Sequence, residues 1–209
     1  MKKGLFATVF LLAASFAAAD TLNLTNLPGF IYSGYYVGPA TGNLNGGLSF
    51  TLVCNDFVDT TYIPSSFEVN VSAIPSLTYA MYAQPGPPTA GQLANYEMAA
   101  MLLWQMNQPG NQNSDAIGGL NFAIWNIFNP SVPDPGTSAS WVTWAQGQNP
   151  ANWDFSNVGI YTDVNTVDPH NQEFLGGAAA PVPEPVPTVL VGMGLFTLGW
   201  VFRWRRQRE

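Results

Sequence analysis

Three types of side chain in this sequence could together form a catalytic site: a thiol, an imidazole, and an amide or carboxylate close to the imidazole in sequence. Cys54 is the only cysteine and ends an apolar run, while His170 is the only histidine and lies in a polar stretch with Asp168 and Asn171. A cysteine hydrolase needs a thiol, a histidine base and a group that orients the base. Cys54, His170 and either Asn171 or Asp168 are the candidates for that activity. A solvated histidine in a turn-like loop is the alternative interpretation.

Metal and phosphate chemistry find less support in the sequence. One cysteine and one histidine are too few for a zinc site, and Asp154, Asp163 and Asp168 do not follow the order of an EF-hand loop. The sequence also has no glycine-rich phosphate loop before a helix. We therefore predict no metal, no cofactor and no catalytic residue, and a protein that is not an enzyme.

Cys54 has a candidate partner in Asn121, within the run Leu120-Asn121-Phe122-Ala123-Ile124-Trp125. A cysteine at the end of a strand, followed by a helix with this apolar and tryptophan spacing, resembles the thioester domain of bacterial surface adhesins. In that family the cysteine and a glutamine condense into an internal thioester that acylates a partner. Here asparagine replaces glutamine and is one methylene shorter, and attack geometry tolerates little displacement. We predict a degenerate pair without the bond; a working thioester adhesin is the first alternative and a secreted cysteine hydrolase the second.

Charge is distributed unevenly along the chain. All six lysine and arginine residues lie at positions 2, 3, 203, 205, 206 and 208. All thirteen acidic residues except Glu184 and Glu209 lie between Asp20 and Glu173. Nucleic-acid binding needs basic residues that neutralise phosphates, so the acid-only central region excludes nucleic acid as a partner and disfavours anionic ligands. It also predicts a central region without salt bridges.

The N-terminus has the pattern of a secretory signal peptide over residues 1–19. Met1-Lys2-Lys3 is a basic start, residues 5–14 are apolar, and Ala17-Ala18-Ala19 is a small-residue cleavage site. We predict that signal peptidase cuts between Ala19 and Asp20 and that the mature, exported chain begins at Asp20.

The C-terminus has the pattern of a transmembrane helix over residues 186–204. Residues 186–202 carry no formal charge, and such a helix measures about 26 Å against a hydrocarbon core of about 30 Å. Trp200 and Trp204 are placed as interfacial anchors, and a stop-transfer cluster of arginines leaves this end in the cytoplasm. The cluster consists of Arg203, Arg205, Arg206 and Arg208.

Pro183-Glu184-Pro185 stands directly before this helix. The order of tripeptide, apolar helix and terminal arginines, over residues 183–209, resembles the PEP-CTERM sorting signal. In that family the helix is a transient inner-membrane anchor, and an exosortase-type membrane transpeptidase cuts near the tripeptide. The resemblance implies a cell-surface or extracellular-matrix protein with a structural or binding role, and exopolysaccharide as a candidate partner. The alternative is a proline spacer before a permanent anchor, since two prolines keep the segment extended.

Between the two ends, we predict a single α+β domain over residues 20–175 and a linker over 176–182. Its sheet is antiparallel or barrel-like and carries two to three inserted helices. The strand signals fall near residues 31–37, 48–53 and 67–71 and within 158–175, with a hairpin turn at Asn45-Gly46. The helix signals cover residues 90–107, capped by Thr89, residues 115–128, capped by Ser114, and a short third helix that holds Trp141 and Trp144.

Overall fold

The computed structural model describes residues 19–27, 29–165, 170–177 and 180–181. The predicted h-region, the Pro183-Glu184-Pro185 tripeptide, the C-terminal helix and its arginines lie outside the described residues. None of the helices in the described part of the chain has the length and apolar character needed to span a bilayer.

Six antiparallel strands close into a barrel, in the order β1-β4-β5-β9-β8-β6, and two small two-stranded sheets, β2-β3 and β7-β10, lie beside it. The strands are β1 (Asp20–Asn26), β2 (Phe30–Tyr32), β3 (Tyr35–Val37), β4 (Ala40–Leu44), β5 (Ser49–Cys54), β6 (Ser65–Ala73), β7 (Trp153–Asp154), β8 (Val158–Asp163), β9 (Phe174–Gly177) and β10 (Ala180–Pro181). The helices are α1 (Ala90–Met106), α2 (Ser114–Phe128) and α3 (Ser138–Gln146), and short 3₁₀ turns cover Met81–Ala83, Pro109–Asn111 and Pro150–Asn152. The predicted class, an α+β domain with a barrel-like sheet and helices, is confirmed.

Alternation along the strands divides the apolar residues into two cores. Leu52 and Phe174 belong to a small cluster inside the barrel. Their neighbours Val53 and Leu175 belong to the larger cluster that contains the three helices. Successive side chains of a strand point to opposite faces, so one face of β5 and β9 fills the barrel while the other binds the helices.

Several sequence predictions agree with the structure at the level of local geometry. Asn45 and Gly46 both have positive φ and connect β4 to β5, which pair as a hairpin. Thr89 caps α1 and forms a capping box with Gln92. The third helix forms where it was expected and includes both Trp141 and Trp144.

Other predictions were wrong in detail. The single strand expected over 31–37 is a hairpin of β2 and β3, because Ser33 and Gly34 take positive φ and turn the chain. Asn113 caps α2 and accepts a hydrogen bond from the Ala116 amide, so Ser114 is the first helical residue and not the cap. Strands β1 and β4 were not predicted. Within residues 176–182, expected to be a linker, β9 extends to Gly177 and Ala180–Pro181 pair with β7.

Glu173 joins the barrel to the helical layer. Its side chain is fully buried, and its Oε1 accepts hydrogen bonds from Asn55 Nδ2 (2.7 Å) and the Tyr96 hydroxyl (2.6 Å). Its Oε2 accepts from the Met81 amide (2.6 Å) and the Thr162 hydroxyl (2.6 Å). These donors come from the residue directly after β5, from α1, from the first 3₁₀ turn and from β8. One carboxylate therefore fixes four separate elements relative to β9.

Burial raises the pKa of Glu173, although its four hydrogen bonds oppose part of this effect. A carboxyl whose pKa is higher in the folded protein stabilises the fold most below its unfolded pKa of about 4.3, and this contribution is lost as pH rises through the folded pKa. We expect the free energy of unfolding of Glu173→Gln to fall less steeply with rising pH than that of wild type. For a single proton the difference in slope is at most about 1.4 kcal/mol per pH unit. Urea unfolding between about pH 4 and about pH 8 measures it.

Glu68→Gln is the matched control, because it removes the same charge from an exposed position of the barrel. It should leave the wild-type pH dependence nearly unchanged. A Glu173→Gln variant with the full wild-type slope would show that the buried carboxyl does not titrate as described.

Candidate functional site

A cavity of about 630 Å³ lies at the end of the barrel where strand β5 ends. Cys54, Asn121 and Trp125 line it together with Gly38 and Gln172. The sequence placed Cys54 at the end of a strand and Asn121 on a helix, and the structure brings both to this one cavity.

Cys54 is the last residue of β5 and is partly buried. Its thiol donates a hydrogen bond to the Asp56 carbonyl oxygen at 2.7 Å. Burial raises the pKa of the Cys54 thiol well above its ordinary value, and the neighbouring Asp56 charge adds to the effect. The thiolate is the nucleophilic form of cysteine, so the raised pKa lowers the fraction of the reactive form at neutral pH.

Asn121 reaches the cavity from α2. Gly118, one turn earlier, lets the helix lie close to the β2-β3 hairpin, because a Cβ at that position would overlap the Tyr32 ring. Asn121 is only 2% exposed, and its Oδ1 accepts a hydrogen bond from the Gly38 amide at 2.8 Å. Its Nδ2 is buried and has no hydrogen-bond partner among the described residues. The side-chain amide is thus fixed through its oxygen and presents its nitrogen in a closed environment.

The arrangement required for a cysteine hydrolase is not assembled in the described residues. Nε2 of His170 lies 2.8 Å from Oδ2 of Asp59, and Cys54 is bonded to a backbone carbonyl. Asn171, a candidate for orienting the histidine, donates its backbone and side-chain N–H groups to Asp163 at 2.9 and 2.7 Å. Asp168 lies outside the described residues. Within the described residues, the Cys54 thiol and the His170 imidazole therefore have different hydrogen-bond partners and do not form the pair that a cysteine hydrolase uses.

Sequence reasoning missed a cluster beside the cavity. Asp56, Asp59 and His170 each place one ligand-type atom within 4.8 Å of the other two. The contact between His170 and Asp59 is a salt bridge when the imidazole is protonated. In that state the expectation of a central region without salt bridges is wrong. The two aspartates follow Cys54 closely, but the histidine is distant in sequence. Only the antiparallel pairing of β5 with β9 shows that the segment after β5 lies beside the segment before β9.

Comparison with known proteins gives only structural similarities. No family model and no curated protein matches the chain. The structure is similar to the N-terminal thioester domain of a surface protein from Clostridium perfringens, at 11% identity and a TM-score of 0.47, over 77% of this chain and 99% of that one. It is also similar to the thioester domain of fibronectin-binding protein SfbI from Streptococcus pyogenes, at 13% identity and a TM-score of 0.47, over 78% and 95% of the two chains. A third match is the N-terminal domain of the Streptococcus pyogenes pilus tip adhesin Cpa, at 14% identity and a TM-score of 0.44, over 79% and 95%. At these values the similarity says nothing about chemistry.

The state of the Cys54–Asn121 pair can be determined by mass spectrometry. Formation of a thioester from a thiol and a carboxamide releases ammonia, and the raised pKa of the Cys54 thiol and its hydrogen bond to the Asp56 carbonyl oxygen disfavour this attack. We expect the intact protein to show no mass deficit equal to ammonia. We also expect iodoacetamide to modify Cys54 slowly in the native protein and rapidly in urea, where burial no longer protects the thiol.

Cys54→Ala serves as the control, and its mass should differ from wild type only by the substitution itself. An ammonia deficit in the wild-type protein that is absent from Cys54→Ala would establish the bond and contradict our assignment.

Proposed function

We propose that this protein is an exported cell-surface or extracellular-matrix protein whose barrel domain binds an uncharged glycan. Sorting by an exosortase-type transpeptidase and retention in an exopolysaccharide matrix belong to the same proposal. The observation that carries the glycan-binding part is the cavity at the end of the barrel, because two of its lining residues are tyrosines with large exposed surfaces.

Tyr36 and Tyr62 both line the cavity, and 66% and 82% of their respective surfaces are exposed. Ile31 is also exposed, and it pairs with Tyr36 across the β2-β3 hairpin. Exposed aromatic rings beside a concave surface provide flat apolar faces with a polar tip. Such faces can pack against the apolar faces of sugar rings while the hydroxyls bond to neighbouring polar groups.

The charge of the domain supports an uncharged ligand. The described residues contain no lysine or arginine, and Asp56 is buried next to the cavity-lining Cys54. An anionic ligand would meet repulsion without a compensating cation. Neutral hydroxyl groups can instead bond to the polar lining residues, which include Asn26, Thr61 and Gln172.

Export rests on the two ends of the sequence. Strand β1 starts at Asp20, so removal of residues 1–19 takes away no residue of a described strand. A basic start with an apolar stretch directs secretion, and the apolar C-terminal segment with its arginines holds the chain in the membrane until it is cut. The domain would then be presented outside the cell.

Glycan binding is tested by affinity electrophoresis of the full-length protein through gels that contain exopolysaccharide from the producing cells. Wild type should be retarded. Tyr36→Ala and Tyr62→Ala should each weaken binding about tenfold, since loss of one aromatic contact is worth about 1.4 kcal/mol.

Tyr79→Ala is the matched control, because Tyr79 is 50% exposed and does not line the cavity. It should bind like wild type. Equal retardation of all three variants, or no retardation of wild type, would contradict glycan binding at this cavity.

A further inference from the structure

The side-chain cluster of Asp56, Asp59 and His170 lies beside the cavity and takes no part in the proposed glycan binding. Asp56 and Asp59 lie in the loop after β5, and His170 lies in the segment before β9. One ligand-type atom from each residue is within 4.8 Å of the other two. Two acidic groups and one imidazole thus meet where two chain segments lie side by side.

Asp56 is only 1% exposed. Its Oδ1 accepts hydrogen bonds from the Val58 amide and the Tyr82 hydroxyl, both at 2.9 Å. Its Oδ2 is buried and has no hydrogen-bond partner among the described residues. A buried carboxylate oxygen without a donor is costly, so this oxygen requires a positive or polar partner that the described chain does not supply.

His170 presents a second unpartnered atom. Its Nε2 lies 2.8 Å from Oδ2 of Asp59, whereas its Nδ1 is buried without a hydrogen-bond partner among the described residues. When Nε2–H donates to the Asp59 carboxylate, the neutral imidazole has its lone pair on Nδ1. A carboxylate that orients a histidine in this way is the usual companion of a metal-binding imidazole.

We propose that Asp56 and His170 bind a divalent transition-metal cation, with Asp59 holding the imidazole in position. Mixed nitrogen and oxygen ligands suit Zn²⁺, whereas Ca²⁺ and Mg²⁺ prefer oxygen alone. A cation bound at the cluster would supply the positive partner that the buried Asp56 carboxylate oxygen lacks. It also neutralises acidic groups in a domain whose described residues include no lysine or arginine.

The cation would tie the loop after β5 to the segment before β9 at the edge of the cavity. The two segments are already joined by a hydrogen bond from Gln172 Nε2 to the Asp56 carbonyl oxygen (2.8 Å) and one from the Gln172 amide to Thr61 Oγ1 (2.8 Å). Thr61 and Gln172 both line the cavity. Metal binding would therefore hold its rim in place.

Equilibrium dialysis of tag-free, chelator-treated full-length protein in detergent, with metal analysis, tests the proposal. Wild type should bind stoichiometric Zn²⁺ more tightly than Ca²⁺, and Zn²⁺ should raise its melting temperature. Asp56→Asn and His170→Ala should lose both effects. Asp59→Asn should weaken binding about 10- to 100-fold, as expected for a group that orients a ligand.

Asp154→Asn is the matched control for Asp56→Asn. Each aspartate accepts a hydrogen bond through Oδ1 from the amide two residues later, and each change removes one negative charge, but Asp154 is exposed. Asp154→Asn should bind Zn²⁺ like wild type.

If circular dichroism shows that Asp56→Asn does not fold, the Zn²⁺ binding of His170→Ala tests the proposed site. Equal Zn²⁺ binding by wild type and His170→Ala, or equal losses in Asp56→Asn and Asp154→Asn, would overturn the site and indicate general attraction of cations to an acidic surface.

Discussion

The buried carboxylate of Glu173 is the constraint on which the rest of the domain depends. Most proteins pair a buried acid with arginine or lysine, and neither is present in the described residues. Here neutral donors from four elements replace the missing base. Burial and the Glu173 charge raise the pKa of Tyr96 and keep its hydroxyl protonated as a donor. Removing any donor would leave a buried charge less well satisfied, so the barrel and the helices are held in one arrangement.

The contact between the segment after β5 and the segment before β9 forms both candidate sites. Because Glu173 precedes β9 and binds Asn55, which follows β5, Gln172 and His170 are brought beside Asp56 and Asp59. Cys54 is the last residue of β5 and lies next to the cluster in sequence, and its thiol donates a hydrogen bond to the Asp56 carbonyl oxygen. A buried thiol beside an acidic side chain is held in its neutral form. The arrangement therefore disfavours acylation through Cys54.

Local signals in the sequence were sufficient for the hairpin at Asn45-Gly46 and for the Thr89 cap, because both depend on neighbouring residues alone. Strand β4 could not be predicted in this way. Gly42 lowers its strand propensity, yet a Cβ there would lie 2.7 Å from the Asn23 carbonyl oxygen and 2.8 Å from Leu52 Cδ1, so closure of the barrel requires glycine. The Asp56–His170 proximity and the four partners of Glu173 depend on pairing between distant strands. They were accessible only from the structure.

The central claim is that the protein is exported as a binding domain without lysine or arginine, and that the N-terminal and C-terminal segments flanking this domain are removed. Its most direct test is mass mapping of both termini of the protein recovered from the surface and medium of producing cells. We predict a chain that begins at Asp20 and has lost the arginines from Arg203 onward. A cytosolic protein that retains residues 1–19 and its arginine terminus would contradict the account.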